Sequence, residues 1–185
     1  MARVLIVYAS SHGQAERIAQ RIGTVISEAG HRAVLRSVEA PGVGAAVGDA
    51  QALIFGGSIH RGRHARALEK LAHDNAALID GRPNAFFSVS LSAGGDANQL
   101  AAASRCVDAF RVRTGWHPRS VALFGGALPY SKYNPLLRLV MRFIVRMARG
   151  DTDTSRDYEY TDWSAVERFA SEFAARLAPE RAAAD

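Results

Sequence analysis

Short apolar runs alternate with segments of helical periodicity along most of this chain, and that alternation restricts its fold more than any other feature. Five runs have the length and residue types of buried strands, namely Arg3–Tyr8, Ala33–Val38, Ala52–Phe55, Ala85–Val89 and Ser120–Phe124. Apolar residues at helical spacing predict a helix from Ala15 that Gly30 ends, and further helices at Ala65–Leu78, Asn98–Arg113 and Asp162–Leu177. Strands connected through helices form right-handed crossovers. We therefore predict an α/β fold with a doubly wound parallel sheet and helices on both faces.

The composition fits one folded domain, because 185 residues that are 48% hydrophobic can bury a substantial core. We assign this domain to residues 1–178, with an insertion at residues 127–160, and we expect a frayed tail at residues 179–185. The one cysteine, Cys106, cannot form a disulfide within the chain, and we predict that it is a small buried apolar residue. The formal net charge of +5 indicates an anionic partner.

Three of the predicted strands are followed by loops of small, polar or glycine residues. These loops are Ser10–Ala15, Gly56–Gly62 and Ser88–Gly95. Ligands of open parallel sheets bind outside the carboxyl ends of the strands. In a sheet of order 2-1-3-4-5, the first, third and fourth strands are neighbours, so their three loops form one continuous cleft. We predict a ligand site in that cleft.

The first loop has the features of a phosphate site. It leads directly into a predicted helix, whose free N–H groups and positive end attract a phosphate. Ser10 and Ser11 add hydroxyl donors, and Gly13 lets the backbone approach closely. The spacing matches neither a Walker loop nor the Gly-x-Gly-x-x-Gly fingerprint of dinucleotide sites. From these residues alone, an ordinary strand-to-helix turn is an equally good interpretation.

The segment Tyr8–Ala15 resembles the phosphate loop of flavodoxins, a hydroxyl-rich turn with a fixed glycine. Flavodoxins often carry hydroxyl side chains at the positions of His12 and Ala15, and this chain does not. The difference removes two side-chain donors, of which His12 can replace one. The resemblance implies a flavodoxin-like, doubly wound, five-stranded parallel sheet of order 2-1-3-4-5 with a helical insertion after strand five.

A second resemblance covers nearly the whole chain, which is similar to the bacterial flavodoxin-like, quinone-linked protoporphyrinogen IX dehydrogenase family. The matching stretches are Gly13-Gln14, Gly57–Ile59, Phe86/Phe87-Ser88-Val89, Gly126–Leu128 with Tyr130, Gly150–Thr154, and Tyr160–Trp163. Ordinary flavodoxins lack the last two stretches. This resemblance implies FMN as the cofactor and oxidation of a porphyrinogen to a porphyrin, with the electrons passed to a membrane quinone.

The same resemblance assigns roles to the three loops. The first holds the phosphate, the second faces the isoalloxazine ring, and the third holds the pyrimidine side of the flavin. The residues expected to bind FMN are Ser10, Ser11, His12, Gly13, Gln14, Ala15, Ser58, Ile59, His60, Arg61, Gly62, Ser88, Val89, Ser90, Leu91 and Ser92. Neither ring loop offers the Trp or Tyr that flanks the flavin in many flavodoxins, which leaves the ring open to a substrate. We assign no catalytic acid or base and no metal site.

Four basic residues on the second loop suit the propionates of a porphyrinogen, because a guanidinium group recognises a carboxylate well. They are Arg61, Arg63, His64 and Arg66. A solvated basic start of a helix is the alternative interpretation, and the sequence gives both equal weight.

The predicted insertion carries an amphipathic helix at Pro135–Arg149. Arg138, Arg142 and Arg146 share one face of this helix, and apolar residues cover the remainder. Residues 127–150 contain five positive side chains and no acidic one. A basic, apolar helix of this kind favours an anionic membrane surface. The alternative is a helix packed on the domain with its arginines in water. Nucleic acid is not an expected partner, because no aromatic platform accompanies the charge.

These features predict an FMN-dependent oxidoreductase in the cytoplasm, peripheral on the inner face of the cell membrane. Two other flavin functions stay open, namely an electron carrier of the flavodoxin type and a quinone reductase with another electron donor. A flavin-free structural module is a third alternative, because of the residues at His12 and Ala15.

Overall fold

Five parallel strands form the central sheet of the computed structural model, which describes residues 1–128 and 157–177. Their order is β2-β1-β3-β4-β5. The strands are β1 (Arg3–Ala9), β2 (Arg32–Ser37), β3 (Ala52–Ser58), β4 (Asn84–Ser90) and β5 (Val121–Gly125). This order confirms the predicted doubly wound, parallel α/β sheet.

Helices cover both faces of the sheet. They are α1 (Gln14–Glu28), α2 (Val43–Asp49), α3 (Arg66–Asp74), α4 (Ala76–Asp80), α5 (Ala97–Thr114) and α6 (Trp163–Ala175). Helices α1 and α6 pack on one face, where Val4 and Ile6 point, and α2 to α5 pack on the other, where Leu5 and Val7 point. Because both faces are buried, β1 is apolar on both sides, as is typical of parallel sheets. None of the helices in the described ranges combines the length and hydropathy that crossing a membrane requires.

Most predicted elements match the structure to within two residues, and two differ by more. Strand β3 continues through Gly56 and Gly57 to Ser58, which the sequence assigned to a loop. A Cβ at Gly56 would lie 2.1 Å from the Phe87 ring, so the glycine makes room for its neighbour rather than ending the strand. Asn75 divides the predicted helix Ala65–Leu78 into α3 and α4, with its backbone at φ −119° and its side-chain amide donating to the carbonyl of Leu71.

A short antiparallel pair holds both ends of the predicted insertion. Strand β6 (Ala127–Leu128) pairs with β7 (Tyr158–Glu159). The chain between them, residues 129–156, lies outside the described residues, and so do the predicted helix Pro135–Arg149 and the matching stretch at 150–154. The predicted frayed tail at 179–185 also lies outside them.

The segment that follows β7 packs tightly against the ends of β4 and β5. The N–H of Gly126 donates to the carbonyl of Ser90 at 2.9 Å, and the N–H of Tyr160 donates to the carbonyl of Gly126 at 2.9 Å. A Cβ at Gly125 would lie 2.1 Å from the carbonyl oxygen of Tyr160. A glycine at position 125 therefore allows the returning chain to close the carboxyl edge of the sheet.

The prediction that Cys106 is buried is wrong. Cys106 lies on α5 and is partly exposed, with its Sγ 3.5 Å from the carbonyl oxygen of Gly62. The helical spacing of α5 turns Ala103, Val107 and Phe110 into the core, and position 106 falls beside that face rather than on it.

Candidate functional site

The carboxyl ends of β1, β3 and β4 lie side by side and form the floor of a cleft. Ala9 pairs in register with Gly57, and Gly57 pairs with Ser88. The chain leaves all three strands at this edge, and the described residues bound a cavity of about 150 Å³ there. It is lined by Ser10, His12, Gln14, Ser58, Ile59, His60, Val89, Ser90, Leu91, Gly126 and Ala127. The predicted cleft is therefore present, and all three predicted loops contribute to it.

The loop between β1 and α1 leaves backbone donors free at the start of a helix. Gly13 has φ +92°, and its N–H donates to the Ser10 hydroxyl at 3.0 Å. The first hydrogen bond of α1 runs from the N–H of Arg17 to the carbonyl of Gly13, so the three preceding helical amides have no carbonyl partner within the helix. No side chain of the described residues caps them, and a Cβ at Gly13 would meet no described atom within 4 Å. The loop therefore offers open space in front of unpaired donors.

The side chain of Gln14 connects this loop to the chain that returns after β7. Its Nε2 donates to Glu159 Oε1 at 2.9 Å and to Thr161 Oγ1 at 2.7 Å. Arg17 donates to Gln14 Oε1 at 3.1 Å and to Glu159 Oε2 at 3.2 Å. Thr161 in turn donates to the carbonyl of Gly125 at 2.7 Å. Gln14 can therefore serve a ligand through its backbone N–H, while its side chain fixes the loop against β7.

A tight turn follows β3 and forms the opposite wall of the cleft. His60 and Arg63 exchange backbone hydrogen bonds of 2.8 and 3.2 Å, and Arg61 and Gly62 between them have φ of +52° and +75°. Positive φ at both central residues is the pattern of a type I′ turn. The turn places Ile59 and His60 at the cleft, where the rings of His60 and His12 have centroids 6.3 Å apart.

A buried carboxylate anchors this turn to the helices behind it. Glu69 on α3 is 5% exposed and accepts hydrogen bonds from both Arg63 and Arg113. Burial acts to raise the pKa of Glu69, but the hydrogen bonds from the two arginines outweigh it and hold that pKa below its usual value. Arg63 therefore forms an ion pair with Glu69, whereas Arg61 and Arg66 are exposed.

His64, the fourth basic residue of this segment, lies inside the protein. It is 2% exposed, packs edge-on against the stacked rings of Phe86 and Phe110, and has Nε2 2.9 Å from the Ser88 hydroxyl. Burial lowers the pKa of His64 to about 4, and the nearby charges of Glu69 and Arg113 do not reverse that shift. His64 is therefore neutral at pH 7, and it cannot act as a cation toward a ligand.

The remaining predicted site residues fall in four places. Ser11 and Arg61 line a second cavity of about 450 Å³ on the β2 side, which shares Ser10, Ser58 and His60 with the first cavity. Ser88 and Ala15 are buried, and the Ser88 hydroxyl is bound to His64 behind the cleft. Gly13 lines a third cavity, between α1 and β7. Gly62 and Ser92 lie next to the lining residues but outside these three sets.

Several residues of the site were not among the predicted site residues. Gly126 and Ala127 line the first cavity, and Ser37, Val38 and Glu39 line the second. Gly126 and Ala127 belong to the stretch Gly126–Leu128, which is one of those that carry the family resemblance, and that resemblance could have identified them. Ser37, which ends β2, the two residues after it and Glu69 reach the site only through the tertiary arrangement, and no local sequence pattern identifies them.

Comparisons with known proteins agree with this fold. The family model of a flavodoxin domain matches residues 5–155. A Leishmania major protein named protoporphyrinogen IX dehydrogenase [quinone] is 35% identical over 127 residues, which are 69% of this chain and 55% of that relative, so the chain spans about half of that relative's length. The protein of the same name from Escherichia coli K12 is 29% identical over 93% of this chain and 94% of its own. Flavodoxin 2 from Bacillus cereus superposes with a TM-score of 0.57 at 20% identity, over 95% of this chain and 99% of its own.

The buried, neutral state of His64 predicts a loss of stability in mild acid. Its pKa is about 4 in the folded protein against a usual 6.5, so the unfolded chain takes up a proton first as the pH falls. The free energy of unfolding should therefore fall by about 3 kcal/mol between pH 7 and pH 4 through this residue. Urea unfolding across that range should show a shallower decline in His64→Gln than in the parent, while His117→Gln, at an exposed histidine, follows the parent. Parallel curves for parent and His64→Gln would contradict the assignment.

Proposed function

The chain belongs to the flavodoxin domain family, and from that premise we propose that it is an FMN-dependent protoporphyrinogen IX dehydrogenase that passes electrons to a membrane quinone. One observation carries the proposal. In a chain similar over 93% of its length to a relative with that name, the uncapped start of α1 and the turn after β3 border one cleft at the carboxyl edge of the sheet.

The residues of the cleft fit FMN. A phosphate suits the three unpaired amides at the start of α1, where the helix dipole adds a positive potential. Gly13 gives the phosphate access to these amides because its position has no side chain and opens onto free space. Ser10 and Ser11 supply hydroxyl groups beside them, although Ser10 already accepts from the N–H of Gly13. The chain has one such loop and no dinucleotide fingerprint, which supports FMN rather than FAD.

The walls of the cleft suit a flat ring with one face open to a second reactant. Ile59, Leu91 and Ala127 provide apolar surface, and the described residues that line the cavity include no Phe, Tyr or Trp. The backbone of the turn at His60–Arg63 is fixed by its two internal hydrogen bonds and by the Arg63–Glu69 contact. A fixed turn can hold backbone N–H groups against the edge of a flavin, and such hydrogen bonds tune its redox potential.

Bound FMN would supply a two-electron acceptor that can be reduced by one reactant and reoxidised by another. For every two hydrogens that leave the porphyrinogen, one quinone takes up two electrons and two protons and leaves as a quinol. The reaction thus balances without oxygen. The residues of this chain bind and orient the reactants, and the described residues of the cleft include no buried charged acid or base to move the protons.

The test of this proposal is an anaerobic assay with protoporphyrinogen IX and a soluble quinone. FMN-loaded protein should produce fluorescent porphyrin in proportion to enzyme concentration, and protein stripped of FMN should not until FMN is restored. Omission of the quinone should limit the porphyrin to about one third of the bound FMN at most, because each FMN accepts only two of the six electrons that the porphyrinogen releases. If quinol forms with another electron donor but no porphyrin appears, the chain is a quinone reductase of a different kind. If neither product forms, an electron carrier is the better description.

We further propose that residues 135–149, which lie outside the described residues, bind an anionic membrane surface. The support is compositional. Residues 127–150 contain Lys132, Arg138, Arg142, Arg146 and Arg149 and no acidic side chain. Each Lys or Arg beside an anionic surface contributes roughly 1 kcal/mol, and the apolar face adds burial in the headgroup region. Strands β6 and β7, which precede and follow residues 129–156 in the chain, are paired at the same edge of the domain as the cleft, where Ala127 lines the first cavity.

Reversing three of these charges should release the protein from membranes. Arg138→Glu, Arg142→Glu and Arg146→Glu together should reduce co-sedimentation with vesicles containing anionic lipid by about two orders of magnitude or more at low salt. A matched triple variant at exposed arginines elsewhere, Arg32→Glu, Arg36→Glu and Arg105→Glu, should lose far less binding. Both variants should keep their FMN. Equal losses in the two triple variants would mean that only the overall charge matters, and no loss in the first would contradict the proposal.

A further inference from the structure

The four basic residues after β3 divide into two that serve the fold and two that face water. Arg63 is held by Glu69, which Arg113 also contacts, and His64 is buried and neutral. Arg61 and Arg66 are exposed, and neither makes a side-chain hydrogen bond or ion pair within residues 1–128 and 157–177. Of the four basic residues, only Arg61 and Arg66 therefore have a positive charge that is free to bind an anionic ligand.

Of the two, Arg61 lines one of the three cavities described above. It lines the second cavity together with Ser11 and His60, and His60 also lines the first cavity. A ligand over the first cavity can thus extend a charged group past His60 toward Arg61. Glu39 lines the same second cavity, but its carboxylate is exposed to water, so its repulsion of an anion is strongly screened.

The backbone at Arg61 is in an unfavourable conformation for an arginine. Its φ of +52° makes it the sole non-glycine residue with positive φ within the described ranges. Type I′ turns favour Asn, Asp or Gly at this position, because other side chains are strained there. Backbone strain of this kind clusters at active sites and ligand-binding sites. The turn itself would be more stable with asparagine or glycine, so turn geometry does not explain the arginine.

We propose that Arg61 binds a propionate carboxylate of the porphyrinogen and makes the enzyme selective for a dicarboxylate substrate. This inference rests on the proposed function, because the substrate comes from it. The guanidinium group can form two parallel charge-assisted hydrogen bonds with a carboxylate. The macrocycle would then lie over the first cavity, while its carboxylate reaches the second.

The test compares the acid and ester forms of the same macrocycle in the parent, in Arg61→Asn and in the control Arg32→Asn. Asparagine keeps the turn, because it tolerates positive φ. Arg32 is exposed and is the first residue of β2, whereas the cleft lies at the carboxyl ends of the strands. Its replacement therefore removes the same charge at the other end of the sheet. KM for protoporphyrinogen IX should rise about tenfold to a hundredfold in Arg61→Asn, the loss expected for a charge-assisted hydrogen bond. KM for its dimethyl ester should change by less than about threefold.

A second measurement does not depend on turnover. Binding of protoporphyrin IX, followed by its fluorescence, should weaken in Arg61→Asn, and binding of the dimethyl ester should not. The melting temperature of Arg61→Asn should equal or exceed that of the parent, because the turn loses its strain. Equal effects on acid and ester, or a loss of bound FMN in Arg61→Asn, would overturn the inference. A parent that binds the acid through Arg61 but does not oxidise the porphyrinogen would leave the inference standing and remove the proposed activity.

Discussion

The side-by-side pairing of β1, β3 and β4 is the constraint on which the rest of this structure depends. Three parallel strands that end at one edge bring three separate loops of the sequence to one place. The central strand of the three, β3, can pack so closely because Gly56 and Gly57 lie near its carboxyl end. A Cβ at Gly57 would lie 2.9 Å from Leu68 Cδ2 and 3.3 Å from the carbonyl oxygen of Ala9. Side chains at these positions would push the neighbouring strands and α3 apart, and the floor of the cleft would be lost.

Polar contacts with the surrounding elements hold the loop before α1 and the turn after β3 in place. On one side, Gln14 and Arg17 connect the start of α1 to Glu159 and Thr161. On the other side, Glu69 connects the turn at Arg63 to α5 through Arg113. A buried carboxylate loses hydration energy, and the hydrogen bonds of two guanidinium groups offset that loss. The consequence for function is that both walls of the cleft are fixed by contacts with residues outside the first two cavities, Glu159 and Thr161 on one side and Glu69 and Arg113 on the other.

Much of the fold could be predicted from the sequence, because its signals are local. Strand β1 and helix α1 follow from their apolar periodicity, and Gly115 ends α5 with φ +68°, as a glycine at that position predicts. The errors arose where a tertiary contact outweighs a local signal. Gly56 resembles a loop residue in sequence, but the Phe87 ring places it in a strand. In sequence, Arg63 and His64 are typical of a solvated basic segment, but in the structure Arg63 donates to Glu69 and His64 lies within hydrogen-bonding distance of Ser88. The cleft could be predicted because local signals identify the strands and the loops that follow them. Supporting residues such as Glu69 could not, because their contacts arise only in the folded chain.

The central claim is that the phosphate of FMN binds the amides at the start of α1, and the most direct test compares FMN with riboflavin, which lacks the phosphate. Flavin fluorescence titrations of the apoprotein should show FMN binding at least about a hundredfold more tightly than riboflavin, as several charge-assisted hydrogen bonds require. In Gly13→Val, whose side chain would occupy the open space and whose backbone cannot readily keep φ +92°, that preference should disappear while circular dichroism shows the fold retained. Equal affinities for the two flavins in the parent, or an unchanged preference in Gly13→Val, would contradict the account.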